Sequence, residues 1–241
     1  MQAFVTTPGL IDGVALVTGG TGGLGQAVVA ELLDAGATVV TTWLVERERE
    51  GIEQALGDRE GLHLVEANLL EDGGQVAVDA AAERGTLSAL VNLVGGFAAG
   101  KRWHEAPPEE LDKMIALNLM TAVNCCRAAA PAMIGGGGGA IVCVGARPAL
   151  QPFSGGGAYA VSKAAVLALV RSLDADYRDD GIRANAILPS VIDTPANRSS
   201  QPDADTSKWV DPRDIAKVVR FLLSEDSLTV TGAAVPVYGR A

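Results

Sequence analysis

Short, nearly continuous apolar runs recur along the chain at residues 14–18, 38–42, 62–66, 89–93, 140–144 and 182–188. Runs of that kind suit parallel strands covered on both faces, since each face of the sheet then meets a layer of helix. Between them, residues 24–34, 72–84, 109–133 and 158–178 carry helical spacing of apolar and polar positions. Asp34-Ala-Gly36 and Asp180-Gly181 put a glycine where a helix must stop before the next strand. The alternation predicts right-handed crossovers and an α/β fold, a parallel sheet with helices on both faces. The glycine run at 135–139 separates a helix from a strand by so little that it reads as a loop inside one domain, residues 1–241. The stretch 189–210 is long, polar and rich in Pro, Asp and Ser, which is the character of a lid or binding loop.

Composition narrows the function classes. Of 241 residues, 48% are hydrophobic and 20% charged, the balance of a folded soluble protein. The net charge of −10 argues against nucleic acid as a partner, because phosphate neutralisation supplies most of that affinity. No apolar run approaches the roughly 20 residues that cross a bilayer. Residues 1–10 show no basic region followed by an apolar core, so the expectation is a cytoplasmic protein without an export signal. Cys125, Cys126 and Cys143 share no metal-ligand or redox spacing and read as buried, reduced small hydrophobes; no metal site is expected.

Two motifs carry chemistry. The first strand runs directly into Thr18-Gly-Gly-Thr-Gly-Gly-Leu-Gly25 and then into a helix. Glycines there let backbone N–H groups approach a phosphate closely, and the helix N-terminus adds about half a positive charge. A glycine-rich turn alone is a weak sign, but its place between the first strand and first helix favours a nucleotide site. The second motif, Tyr159-Ala-Val-Ser-Lys163, follows the fifth strand. Four residues is about one helical turn, so both side chains leave the same face. A nearby ammonium favours the phenolate, with an expected lowering of about 2–3 pKa units, fitting Tyr159 to give or take a proton.

With these motifs in place, the chain resembles the short-chain dehydrogenase/reductase family over essentially its whole length. Thr18–Gly25 matches the family's TGxxxGxG, and Val91-Asn-Leu-Val-Gly95 stands where the family has its NNAG stretch. Asn118, Tyr159 and Lys163 fall at the family's catalytic positions, and Pro189 and Thr194 match the segment closing over the nicotinamide. The resemblance implies a Rossmann-type, doubly wound sheet of seven parallel strands with a dinucleotide at the carboxyl ends of the strands. It implies Tyr159 as acid/base, Lys163 on the nicotinamide ribose, and Asn118 holding a water of the proton relay. Contacts to the cofactor are expected from Gly19, Thr21, Gly23, Leu24, Gly25, Trp43, Asn68, Leu69, Asn92, Gly95, Pro189, Ile192 and Thr194. Homo-oligomerisation, as a dimer or tetramer, is also expected from the family.

The sequence departs from that pattern twice. The family's serine after strand five falls on Ala146, with Gly145 beside it. A lost donor of that type removes roughly 2.7–4 kcal/mol from a transition state. Ser154 or Ser190 as a substitute, lost activity, and a substrate indifferent to the hydroxyl all stay open. Gly145-Ala-Arg-Pro-Ala-Leu150, Val94–Gly100, Asp193–Arg198 and Pro202–Asp205 with Trp209 resemble dihydropteridine reductase, a branch that also has alanine there and reduces a conjugated quinonoid dihydropterin. Phe97, Ala146, Ser154 and Tyr159 are the expected substrate residues. The second departure is Trp43, where NAD-preferring members carry an acid. Glu46 is a candidate displaced carboxylate, whereas Arg47 and Arg49 read as a self-paired solvated face. NAD is slightly favoured over NADP, by the same resemblance. The leading expectation is an NAD(P)-dependent oxidoreductase acting on a small carbonyl or conjugated substrate. The alternatives are an ordinary ketone or alcohol reductase with a substitute hydroxyl, and a non-catalytic dinucleotide-binding or redox-sensing module.

Overall fold

The computed structural model describes residues 12–240, so the reading of residues 1–10 lies outside it. Its strands are β1 (Val14–Thr18), β2 (Thr38–Trp43), β3 (Leu62–Glu66), β4 (Leu87–Asn92), β5 (Gly139–Val144), β6 (Ile182–Pro189) and β7 (Ala234–Val237). They form one seven-stranded parallel sheet in the order β3-β2-β1-β4-β5-β6-β7. The period of two along each strand divides the core. In β1, Val14 and Leu16 enter the apolar layer under α3 (Gly73–Ala82), α5 (Thr121–Gly135) and α6 (Gly157–Tyr177). Ala15 and Val17 enter the layer under α1 (Gly23–Asp34) and α8 (Pro212–Leu222) on the other face. Leu16, Leu32, Leu90, Ile141 and Ile187 are fully buried, each worth about 1.5–3 kcal/mol of transfer energy.

Where the apolar pattern predicts one helix over 109–133, the chain makes α4 (Pro108–Ile115), a π-helical turn Ala116–Met120, and α5. Hydrophobic spacing carries no sign of the wider turn, which lengthens the path by one residue per hydrogen bond and brings Asn118 inward to 2% exposure. Besides the short helix Pro195–Ser200 within 189–210, three elements lie beyond the runs read from the sequence. In α2 (Glu46–Leu56), Ile52 is the buried residue of a charged helix. β7 contains Pro236, tolerated because this edge strand pairs only with β6. α8 has its signal in plain view. Asp211 caps it, Pro212 starts it, and Ile215, Ala216, Val219 and Leu222 recur at helical spacing.

The glycine run joins α5 to β5 as a tight loop. Gly137, Gly138 and Gly139 all have positive φ, and a Cβ at Gly138 would lie 2.5 Å from the Gly181 carbonyl oxygen. Residues 189–210 hold their own short structure, α7 (Pro195–Ser200) and a bridge between Ile192 and Val210. No helix among the described residues is long and apolar enough to cross a membrane.

Candidate active site

The strand order reverses direction between β1 and β4, and the crossovers that leave them diverge, opening a crevice at the carboxyl ends of the strands. A cleft of about 340 Å³ lies there. Gly19 and Thr21 line it from the glycine turn, Trp43 from the end of β2, Asn68 and Leu69 from beyond β3, and Gly95 from beyond β4. Four separate segments that the sequence reading singled out thus meet in one place. Sequence reasoning missed Glu48 of α2 and Leu70, Leu117 and Thr121, which share the lining with Leu44, the position just after β2 where a basic residue would mark NADP.

The glycine turn is built by close approach. Gly19 has φ +71, and a Cβ on it would stand 2.9 Å from the Val94 nitrogen. A Cβ on Gly25 would stand 2.1 Å from the Gly19 carbonyl oxygen, and Gly25 is therefore what lets α1 sit against β1. The first turn of α1, with Gly23, Leu24 and Gly25, has no side-chain cap, so its N–H groups keep their dipole for an anion. Thr194, capping α7 by accepting from the Asn197 amide, lies against the same turn, where a Cβ on Gly23 would be 2.9 Å from its methyl. The closing segment therefore already touches the turn. Pro189 ends β6, and the Ile192 carbonyl accepts from the Asn197 side chain at 2.8 Å. Asn92 ends β4 with its side chain turned into the core, accepting from Thr18 Oγ1 and donating to the sulfurs of Cys126 and Cys143.

Gly95 links the cleft to the candidate catalytic residues. A Cβ there would lie 2.5 Å from Asn118 Oδ1 and 3.3 Å from Lys163 Nζ. Asn118 clamps the β4 loop, accepting from the Gly96 N–H at 2.8 Å and donating to the Gly96 carbonyl at 3.1 Å. It also donates to Ser162 Oγ at 2.9 Å, which in turn donates to the Tyr159 carbonyl at 2.8 Å. Ser162 is a residue that the sequence reading passed over, although it sits within the motif itself. Lys163 is 4% exposed and donates to the Val144 carbonyl at 2.9 Å. Burial lowers its pKa to about 8. Burial also pushes Tyr159 up to about 12, opposite to the lowering expected from a neighbouring ammonium. The cause is desolvation, which penalises the phenolate: the phenol ring is packed against Phe97, edge to face at 5.0 Å.

Ala146 is 5% exposed with extended backbone. A Cβ at Gly145 would meet Leu188 at 2.6 Å, so position 145 faces the core and has no room for a serine. Of the substitute hydroxyls, Ser190 already donates to the Tyr238 carbonyl at 2.9 Å, and Ser154 is exposed. Phe97 is 65% exposed beside Tyr159.

With that geometry in hand, comparison with known proteins decides the family. Residues 19–239 match the family model described as Enoyl-(Acyl carrier protein) reductase. A 2-(R)-hydroxypropyl-CoM dehydrogenase of Xanthobacter autotrophicus is 33% identical, across 94% of this chain and 97% of that protein. A 3alpha-hydroxysteroid dehydrogenase of Mediterraneibacter gnavus is 32% identical, across 95% and 96%. A solved short-chain dehydrogenase/reductase from Mycobacterium ulcerans superposes with TM-score 0.89 at 29% identity, covering 96% of this chain and 90% of that one. An NADPH-bound short-chain oxidoreductase from Pseudomonas aeruginosa, described as containing an atypical catalytic center, gives TM-score 0.87 at 27% identity, with 95% and 96% covered. The chain belongs to the short-chain dehydrogenase/reductase family. It is accordingly an NAD(P)-dependent oxidoreductase.

As a family member, it handles the end of β2 in its own way. Glu46, the carboxylate singled out from sequence, instead pairs with Arg49, which also binds Glu53 at 2.7 Å. The carboxylate at the cleft is Glu48, whose Oε2 accepts from the Leu44 N–H at 3.3 Å. Glu46 and Glu48 are two residues apart, about half a helical turn, and so lie on opposite faces; where α2 docks decides which one meets the cleft, and charge pattern alone does not set that. Trp43 carries the Arg49 guanidinium 6.0 Å from its ring centre. His63 lies half-buried on the edge strand β3, its pKa lowered by burial, and His104 is exposed beside Glu105. The three cysteines are buried free thiols.

Proposed function

We propose that this enzyme transfers hydride between a nicotinamide dinucleotide and a small carbonyl or conjugated substrate, with Tyr159 as the proton donor for reduction. The continuity of the cleft with Asn118 and Lys163 through Gly95 carries this reading. The residues present fit a dinucleotide. The turn is rich in glycine where a pyrophosphate would lie, the first turn of α1 is uncapped, and Trp43 and Asn68 line the same cleft, where they would flank the base. Bound there, the nicotinamide would supply or accept the hydride. Gly19, Gly23, Leu24 and Gly25 would hold the pyrophosphate, and Thr21, Leu69, Ile192 and Thr194 would flank it. Lys163, with N–H groups to spare beyond Val144, would hold the ribose. Tyr159, whose phenol is protonated at neutral pH, would be the donor. Asn118 positions the β4 loop and, through Ser162, the helix turn that presents Tyr159.

Glu48 supports the preference for NAD. A carboxylate at the cleft accepts from ribose hydroxyls and repels a 2′-phosphate, and no arginine or lysine lines that cleft among the described residues. Ala146 supports a substrate whose developing charge is spread over several atoms, since position 146 offers no donor and Ser190 is committed to the Tyr238 carbonyl. The test is oxidation of NADH and NADPH by purified protein against ketones, quinones and dihydropterins, repeated with Tyr159→Phe. Tyr159→Phe is expected to keep cofactor binding and lose about 10²–10⁴-fold in turnover. A near wild-type rate removes Tyr159 from the proton transfer. Glu48→Gln is expected to shift the NADH/NADPH ratio of kcat/KM about tenfold toward NADPH. An unchanged ratio removes Glu48 from cofactor choice.

A further inference from the structure

The chain is poor in aromatic residues, with four Phe, three Trp and three Tyr. Four of those side chains nevertheless gather at one mouth. Phe97 and Trp103 come from the loop after β4, and Phe153 from the loop before α6. Phe97 stacks on Phe153 with ring centres 6.4 Å apart and planes 24° apart, and meets Tyr159 edge to face at 5.0 Å. Both outer rings rest on bare backbone at the start of α6. A Cβ on Gly156 would lie 2.5 Å from Phe153, and one on Gly157 would lie 2.6 Å from Trp103. The loops are tied together by the Gly100 N–H donating to the Gly155 carbonyl at 2.9 Å. Despite that support the rings face solvent, with Phe97 65%, Trp103 58% and Phe153 44% exposed.

Three exposed rings cost solvation energy that a soluble chain ordinarily avoids, and an exposed aromatic group of this kind marks a binding surface. Its position says what binds. The stack is continuous with the Tyr159 ring, so whatever covers Phe97 lies within reach of the one proton donor of the site. Ring faces prefer other flat π-systems in offset or edge-on contact, while an aliphatic ring gains only area. Ala146 adds no hydrogen-bonding group that would reward a localised oxyanion. We propose that Phe97, Phe153 and Trp103 form an aromatic platform that selects a flat, conjugated carbonyl substrate, an aryl ketone or quinone, over a saturated one. This rests on the hydride-transfer reading above and names its substrate class.

The experiment uses the full-length protein and two acceptors of similar size, 1,4-naphthoquinone and a saturated bicyclic ketone, 2-decalone. kcat/KM is measured with NADH for wild type, Phe97→Leu and Phe153→Leu. Both variants are expected to lose about tenfold or more on the quinone and less than about threefold on the decalone. Equal losses on both acceptors mean that the rings only hold Tyr159 in place, which overturns the proposal. So does a wild type that prefers the decalone. A second readout does not depend on turnover. In Tyr159→Phe, which cannot deliver the proton, 2-naphthol is expected to quench tryptophan fluorescence saturably, and Trp103→Phe is expected to remove that signal. Absence of quenching overturns the platform while leaving hydride transfer intact. Quenching with no turnover of any acceptor by wild type would instead refute the hydride-transfer reading and leave the platform standing.

Discussion

Two buried cations show how differently the two ends of the strands are used, Arg183 near the amino end of β6 and Lys163 against the carboxyl end of β5. Arg183 of β6 is 7% exposed, and its guanidinium donates to the carbonyls of Val230, Leu222 and Ser224 at 3.2, 2.9 and 3.4 Å. Beside it, Asn185 donates to the Val230 carbonyl at 2.8 Å and accepts from the Ala233 N–H at 3.1 Å. Asp174, held below the usual carboxylate range by Arg178, accepts from Thr231 at 2.5 Å. That end of the molecule ties α8, the loop before β7 and α6 to β6, with its donors committed to the chain. Lys163 of α6 is as deeply buried, yet among the described residues its Nζ finds the Val144 carbonyl alone. An ammonium has three donors to place, so burial without enough partners lowers its pKa. A satisfied cation holds a fold together; an under-satisfied one costs stability, as groups at functional sites often do.

The sharpest way to break this comparison is Lys163→Met. Turnover is expected to fall at least about a hundredfold, the loss typical of a positioned charge or proton-transfer group. A steady-state assay checks it, and a mutant within a few-fold of wild type would put Lys163 in the structural class with Arg183. Next comes the pH dependence of stability. Because Lys163 has a folded pKa lowered from 10.5 to about 8, the stability it contributes is complete above its unfolded pKa and is lost as pH falls through about 8. Taking the pH from about 10 to about 7 should therefore cost wild type about 2–3 kcal/mol that Lys163→Met does not lose. Urea denaturation of both proteins at the two pH values measures this difference, in which any effect of Tyr159 cancels. Parallel curves would show that the buried ammonium carries no penalty. Arg183→Met comes last, because its expected effect on activity is nil and its cost falls on stability alone. It should cost about 2–3 kcal/mol at neutral pH, because charge-assisted bonds are lost and the Leu222 carbonyl is left unpaired. Its KM for NADH should stay unchanged. A changed KM would mean that the β6–β7 end communicates with the cleft.

The parallel sheet was legible in the sequence because strands buried on both faces must be continuously apolar, as 14–18 and 182–188 are. The glycine turn and the Tyr159–Lys163 pair were legible because contact with a phosphate and one helical turn of spacing are both local requirements. The π-turn at Asn118 was not, since a widened turn keeps the same residues in the same order and only tertiary packing selects it. Ser162 escaped for a related reason. Its hydroxyl matters through Asn118, 44 residues away in the chain.

What the sequence determined by itself was therefore the fold, the family and the places along the chain of the candidate reactive groups, each encoded in short-range pattern. What only the tertiary structure decided was how charge and aromatic surface are distributed around those groups. The docking of α2 sends Glu48 rather than Glu46 to the cleft. The burial of the Tyr159 ring at the start of α6 raises its pKa instead of lowering it, because desolvation penalises the phenolate. The loops after β4 and before α6, remote in sequence, bring three rings to the mouth beside Tyr159. Solvation and electrostatics depend on what stands within a few ångströms in space, and no local spacing along the chain records that.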